Sequence, residues 1–182
     1  SIERYMPWIR NVYIVISISE NQIPQWLDTQ NERVHIVWDW EIVPREYLPV
    51  FNSNVIDLYI PRIEGLSEQY LYACDDYIVM KKLQPEDFFS ENGIRLDVGR
   101  YKFSEWTYSR TIINSNQLIC PQHIVKSDGY YFLPYCQHAI VPHLKSENQK
   151  ILEKYQKEVE DSLSRFRESK NLTWLIYPLS LM

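Results

Sequence analysis

Glycine is scarce, with only four in 182 residues, and none of them falls in a G-x-G-x-x-G or G-x-x-x-x-G-K-[ST] pattern. A dinucleotide fingerprint or P-loop, where backbone amides approach phosphate through glycines, is therefore not signalled. Cys74, Cys120 and Cys136 are odd in number, widely spaced and without a C-x-x-C pair. That excludes a disulfide framework and a zinc knuckle, and it fits reduced thiols in a reducing compartment. No apolar run approaches the roughly 18 residues that a membrane span requires. Basic charge is also short: 19 Lys and Arg stand against 24 Asp and Glu, a formal net charge of -5. Nothing in the global field favours a polyphosphate backbone, so nucleic acid is not an expected partner. No charged segment followed by an apolar stretch opens the chain at Ser1, and the end at Leu179-Ser180-Leu181-Met182 is equally abrupt. Both ends predict a gene fragment whose first elements are missing.

What is present suits one soluble globular domain with a real core: 45% hydrophobic and 24% charged residues, with a mean hydropathy of -0.37. The 14 tyrosines and six tryptophans are large core fillers that also stack on sugar rings, so carbohydrate is hinted at and a Tyr-rich core explains them equally well. Three β-branched or aromatic runs read as buried strands: Val12-Tyr13-Ile14-Val15-Ile16, Val34-His35-Ile36-Val37-Trp38 and Tyr70-Leu71-Tyr72-Ala73. Gln22-Ile23-Pro24-Gln25-Trp26-Leu27 reads as a turn leading into a short helix, and Asn52 or Ser53 can cap a helix with Val55, Ile56, Tyr59 and Ile60 on one face. This alternation predicts an α/β fold with a mostly parallel, Rossmann-like sheet flanked by helices, which binds ligands at the carboxyl ends of its strands. Between residues 88 and 131, Asn92-Gly93 and Asp128-Gly129 signal turns, and the segments around Trp106 and Ile112-Ile113 are candidate strands. Ser146-Glu147-Asn148-Gln149 reads as a capping box opening a helix whose stripe is Ile151, Leu152, Tyr155, Val159, Leu163 and Phe166.

Asp75-Asp76 directly follows the third strand and offers the hard oxygens that Mg²⁺ or Mn²⁺ takes alongside substrate phosphates. Read alone, Asp75 caps a turn and Asp76 is solvated. His35 and His123 read as structural or surface groups, whereas His138 and His143 lie on a loop where a general base can serve near neutral pH. Arg165-Phe166-Arg167 closes the last helix, with Phe166 expected toward the core and the guanidinium groups explained by the helix dipole or by phosphate clamping.

The runs 48–56, Arg62-Ile63-Glu64-Gly65-Leu66-Ser67-Glu68, 70–76 and Pro85-Glu86-Asp87-Phe88-Phe89 resemble the second signature region of the Stealth family. These are sugar-1-phosphate transferases of bacterial capsule synthesis, similar to the catalytic subunit of the lysosomal-targeting N-acetylglucosamine-1-phosphotransferase. Residues 1–15 and 22–27 extend the match, and Gln137-His138, Pro142, Leu144-Lys145-Ser146 and Ser164-Arg165-Phe166-Arg167 resemble the third region. The resemblance divides one catalytic-type domain, 1–182, into region two at 1–89, a variable insert at 90–133 and region three at 134–182. It implies Asp76, His138 and Arg167 as catalytic residues, with His143 the runner-up histidine. It also implies Asp75 and Asp76 as ligands of Mg²⁺ or Mn²⁺, and Gln22, Asn52, Ser53, Arg62 and Arg165 as substrate-binding groups.

The implied reaction moves a hexose or N-acetylhexosamine 1-phosphate from a nucleotide-sugar, a UDP-sugar above all, to a saccharide hydroxyl, in the bacterial cytoplasm or at the periphery of its inner membrane. Alternatives are a truncated, non-catalytic fragment that binds sugar or a partner, and a metal-dependent glycosyltransferase. The family's first region, upstream of Ser1, and its fourth, after the Arg-Phe-Arg motif, have no counterpart. Cys74 stands where the family has Asn, Ser17-Ile18-Ser19-Glu20 lengthens a loop, and Pro61 should end its helix.

Overall fold

Short strands and short helices alternate along the chain. In order they are α1 (Ile2–Tyr5), β1 (Val12–Ile16), β2 (Val34–Trp38), α2 (Asp39–Ile42), α3 (Ser53–Tyr59), β3 (Gln69–Tyr72), β4 (Phe89–Ser90), β5 (Gly93–Ile94), β6 (Val98–Phe103), α4 (Thr107–Ile119), β7 (Val125–Ser127), β8 (Tyr130–Cys136), β9 (Val141–Leu144), α5 (Lys145–Lys154), α6 (Gln156–Ser162) and α7 (Ile176–Leu179). The computed structural model describes residues 1–17, 20–74, 76–137 and 139–182. No helix among the described residues is long and apolar enough to cross a membrane.

The mixed α/β composition agrees with the sequence, but the sheet does not. β1 and β2 pair in parallel, Val12 opposite Val34 and Ile16 opposite Trp38. β3, the third predicted strand, pairs instead with β9, antiparallel, with Tyr70 opposite His143. β6, β8 and β7 form a separate antiparallel sheet and β4–β5 a small hairpin. The expectation of a mostly parallel Rossmann-like sheet is therefore corrected. A short apolar run marks burial on both faces but carries no information about its partner's direction, and here the partner arrives 69 residues later.

Both turn signals hold. Asp128 and Gly129, at φ 50 and 77, join Ser127 to Tyr130, the left-handed pair that a two-residue hairpin requires. The segments read as strands around Trp106 and Ile112-Ile113 are instead the helix α4 with its N-cap at Trp106. Its buried polar residues return to the helix: Ser115 Oγ donates to the Thr111 carbonyl at 2.9 Å and Asn116 Nδ2 to that of Ile112 at 3.0 Å. Satisfied in this way, they blur the helical period without costing burial.

Asn52 caps α3, its side chain accepting from the Asn54 amide at 3.2 Å, and the helix stops before Pro61 as expected. The segment 22–27 forms turns, with Gln22 ending a 3₁₀ turn rather than opening an α-helix. The capping box is corrected too. α5 starts at Lys145 after an N-cap at Leu144, and Ser146 Oγ donates to Glu68 at 2.7 Å while Gln149 Nε2 donates to the Pro61 carbonyl at 3.2 Å. These side chains tie the helix to the segment before β3. Tyr155 (φ -113, ψ 29) interrupts the helix, and Leu163 is extended, so the predicted stripe is split across two helices and a loop. The core runs from α3 through Ile112, Ile113 and Leu133 to the segment 172–179, where the buried Tyr177 hydroxyl donates to the Leu58 carbonyl.

Candidate active site

The loop carrying Arg165-Phe166-Arg167 follows the end of α6 and bends at Arg165-Phe166, so the helix-dipole explanation of its arginines does not apply, and Phe166 is 65% exposed rather than turned to the core. The loop lies alongside Phe51-Asn52-Ser53 in register. The Phe51 amide donates to the Arg165 carbonyl at 2.8 Å, Asn52 Nδ2 approaches the Phe166 carbonyl at 3.4 Å, and Arg167 Nη2 donates to Ser53 Oγ at 2.9 Å. Asn52 is buried. Its amide also donates to Asn171 Oδ1 at 2.9 Å, and Asn171 in turn donates to the Ser162 carbonyl at 2.6 Å. Asn52 therefore holds the two segments together, and its polar atoms are committed within the chain.

Ser53 and Asp57 are four residues apart on α3 and so share one face. Arg167, bonded to Ser53, acts on the Asp57 carboxylate, which also feels the Tyr72 hydroxyl at the end of β3. Burial pushes the Asp57 carboxyl up to about 7, with the Tyr72 hydroxyl and the Arg167 charge opposing the rise. Tyr72 itself is pushed far up, by burial first and then by the Asp57 charge, and its hydroxyl lies 3.5 Å from Cys74 Sγ. Phenols continue the wall. Arg167 Cζ is 5.9 Å from the Tyr108 ring centre, Tyr135 feels the Tyr108 hydroxyl, and Tyr77 feels both Tyr108 and the exposed Asp76. The site therefore gathers a guanidinium, a hydroxyl and a carboxyl poised near neutrality, with a second carboxylate beyond the tyrosines.

Asp57 was not singled out from the sequence. Its signal was there to find: a lone carboxylate in the run Asn54-Val55-Ile56-Asp57-Leu58-Tyr59-Ile60, on the stripe that contains Ser53. Of the predicted site residues, Ser53 and Arg167 are brought together and Asp76 lies across the tyrosine wall. Arg165 Nη2 donates to the Leu48 carbonyl at 3.0 Å. Arg62, beyond the far end of α3, stacks over Tyr59 at 4.5 Å in a separate hollow shared with Gln149 and Glu160. Gln22 is exposed at the carboxyl edge of the parallel pair, where its Oε1 accepts from the Ser17 amide at 2.6 Å; beside it Ser17 Oγ donates to the buried Asp39. Asp75 and His138 lie outside the described residues.

The runner-up histidine is in the core. His143 is 2% exposed, stacked on Tyr70 and edged by Tyr72, Trp174 and Tyr177. Its Nδ1 pairs with Asn148 Nδ2 at 3.0 Å while Nε2 has no partner among the described residues. Burial pushes its pKa down to about 4. A ring enclosed in this way has no access to substrate.

Residues 1–97 match the family model described as Stealth protein CR2, conserved region 2. The chain belongs to the Stealth family. That stretch holds Ser53, Asp57, Tyr72 and Asp76, and two of the relatives match along nearly the whole chain. A capsular polysaccharide phosphotransferase of Actinobacillus pleuropneumoniae is 32% identical over 189 residues, 97% of this chain and 51% of its own. One from Haemophilus influenzae is 33% identical over 181 residues, 94% of this chain and 48% of its own. An exopolysaccharide phosphotransferase of Lactiplantibacillus plantarum is 41% identical over 97 residues, 53% of this chain and 28% of its own. This Stealth chain thus spans about half the length of the curated relatives that it matches along nearly all of its own.

Proposed function

We propose that this Stealth chain forms part of the catalytic core of a capsular or exopolysaccharide phosphotransferase, an enzyme that moves a sugar 1-phosphate from a nucleotide-sugar, a UDP-sugar above all, to a saccharide hydroxyl. The observation that carries the reading is the hydrogen bond of Arg167 to Ser53, on the face of α3 that also carries Asp57. A phosphoryl centre needs charge neutralisation and positioning, and a planar guanidinium braced by a hydroxyl supplies both. The acceptor hydroxyl attacks the sugar-linked phosphorus, the new O–P bond forms, the bond to the nucleotide's phosphate oxygen breaks, and the nucleoside monophosphate leaves. Asp57 takes the acceptor proton. A carboxyl with its pKa near 7 is ionised in a useful fraction and basic enough to accept. Arg167 then has two tasks: it bears on the phosphate and keeps Asp57 from rising further.

Asp76, exposed beside the tyrosines, offers the hard oxygen that Mg²⁺ or Mn²⁺ takes with phosphates, and Asp75 and Asp76 would hold the ion. When bound, it would neutralise diphosphate charge on the donor. His138 remains a candidate second proton-transfer group or phosphate donor from the loop after β8.

The test is release of UMP from UDP-N-acetylglucosamine by the full-length protein. Arg167→Ala and Asp57→Asn should each lower the rate by roughly 10²–10⁴-fold, the range of general acid–base and charge-stabilising groups, while both variants still unfold cooperatively. Rates within a few-fold of the parent in both variants would remove this site from the chemistry.

A further inference from the structure

Beside the Arg167 cluster stands an aromatic pair that none of the residues assigned above requires. Phe51 and Phe166 stack at 5.3 Å between centroids and 12° between planes, yet remain 55% and 65% exposed. Single exposed apolar residues are ordinary, but two phenyl rings stacked in water at the rim of a site are not. The backbone beneath the pair is tied down. Phe51 is tied through its amide to the Arg165 carbonyl, and the Phe166 carbonyl accepts from Ser164 Oγ at 2.7 Å and from Asn52 Nδ2 at 3.4 Å. Each phenylalanine directly neighbours a polar residue of the ladder that ends on Arg167 and Ser53.

The chemistry of this rim selects its ligand. Its backbone groups are already used: the Arg165 carbonyl by Phe51, the Phe166 carbonyl by Ser164 and Asn52, and the Leu48 carbonyl by Arg165. With these carbonyls engaged, what Phe51 and Phe166 themselves present to a ligand is chiefly their ring faces. A pyranose presents a flat patch of C–H bonds that stacks on aromatic faces, with its hydroxyls pointing outward and along the surface. We propose that Phe51 and Phe166 form the stacking platform for a pyranose unit of the saccharide acceptor, seating it so that a neighbouring hydroxyl faces the group held by Arg167. The platform rests on the transferase reading for its ligand's role, while its preference for a pyranose rests on the rim alone.

The test is saturation-transfer NMR on the full-length protein, with methyl β-D-glucopyranoside and methyl β-D-galactopyranoside as one pair of probes and UDP as another. Saturation on the ring C–H protons of at least one glycoside should fall roughly ten-fold in Phe51→Ala and Phe166→Ala, the factor that about 1.4 kcal/mol of lost stacking gives. Phe166→Tyr should restore it, and unchanged thermal midpoints establish that the variants are folded. Glycoside saturation that is absent from the parent, or that persists in both alanine variants, overturns the platform. So does a loss confined to the uracil protons of UDP, which would make the pair a base-stacking site. A phenylalanine-dependent glycoside signal in a protein that releases no UMP keeps the platform and removes the transferase reading, so the two failures are distinct.

Discussion

Tyr72 has a titratable group on each side, and burial shifts them in opposite directions. Asp57 meets its hydroxyl, with Arg167 close by, and is pushed up to about 7; His143 meets its ring from within a cage of Tyr70, Trp174 and Tyr177 and is pushed down to about 4. In both cases burial penalises the charged form, which raises an acid and lowers a base. The difference lies in the neighbours. Asp57 is half-buried beside the exposed Ser53 and under the influence of a cation, so it can exchange a proton near neutrality. His143 faces Asn148 and aromatic rings, with no charged partner among the described residues, so it stays neutral and serves packing.

The largest effect that can break this comparison is catalytic. Asp57→Asn should cost roughly 10²–10⁴ in UMP release while His143→Gln leaves the rate per folded molecule within a few-fold; equal losses in the two would erase the distinction. Next comes stability. His143→Ala removes a 2% exposed ring from four aromatic contacts and leaves the Asn148 amide with Tyr70 as its remaining side-chain partner, and denaturant unfolding should show a loss of about 3 kcal/mol. A loss under about 1 kcal/mol would mean that the cage does not depend on its centre.

The pH dependence of unfolding sharpens the contrast. His143, whose folded pKa near 4 lies below its ordinary 6.5, contributes stability that is fully present above pH 6.5 and is lost as pH falls toward 4. Asp57 has the opposite sign. Its folded pKa near 7 lies above the ordinary 3.8, so ionising it weighs against the fold above pH 7, and that cost is relieved as pH falls toward 4. The two slopes oppose each other in the parent between pH 4 and 6.5. In Asp57→Asn the histidine slope should emerge, up to about 1.4 kcal/mol per pH unit, and equal pH profiles for parent and variant would count against the pair of shifts. At the small end, Glu147 and Lys150 form an exposed pair at 2.7 Å on α5. Glu147→Ala should change stability by less than about 0.5 kcal/mol.

The sequence carried the strands β1 and β2, the Asn52 cap, the Pro61 stop and the Asp128-Gly129 hairpin, because each is a local property of a few side chains. Partner choice was not legible. Tyr70 and His143 are paired by the fold across 73 positions of chain, and nothing in either run specifies the other. α4 was hidden by Ser115 and Asn116, polar residues that are satisfied inside the helix. The resemblance led to Ser53 and Arg167 but not to Asp57, whose significance depends on Arg167 arriving 110 residues later. Phe166 failed in a different way: a helical period extended past Leu163 assigned to the core a ring that the loop after α6 presents to solvent.

The central claim is that burial poises Asp57 near neutrality and Arg167 keeps it there. Carboxyl ¹³C NMR titration of the full-length protein tests it most directly. The account predicts one aspartate carboxyl titrating near pH 7, absent in Asp57→Asn and moved upward in Arg167→Ala, where the opposing charge is gone. If every resonance removed by Asp57→Asn titrates below about pH 5, or if Arg167→Ala leaves the midpoint where it was, the poised carboxylate and its guanidinium partner are not what the site is built on.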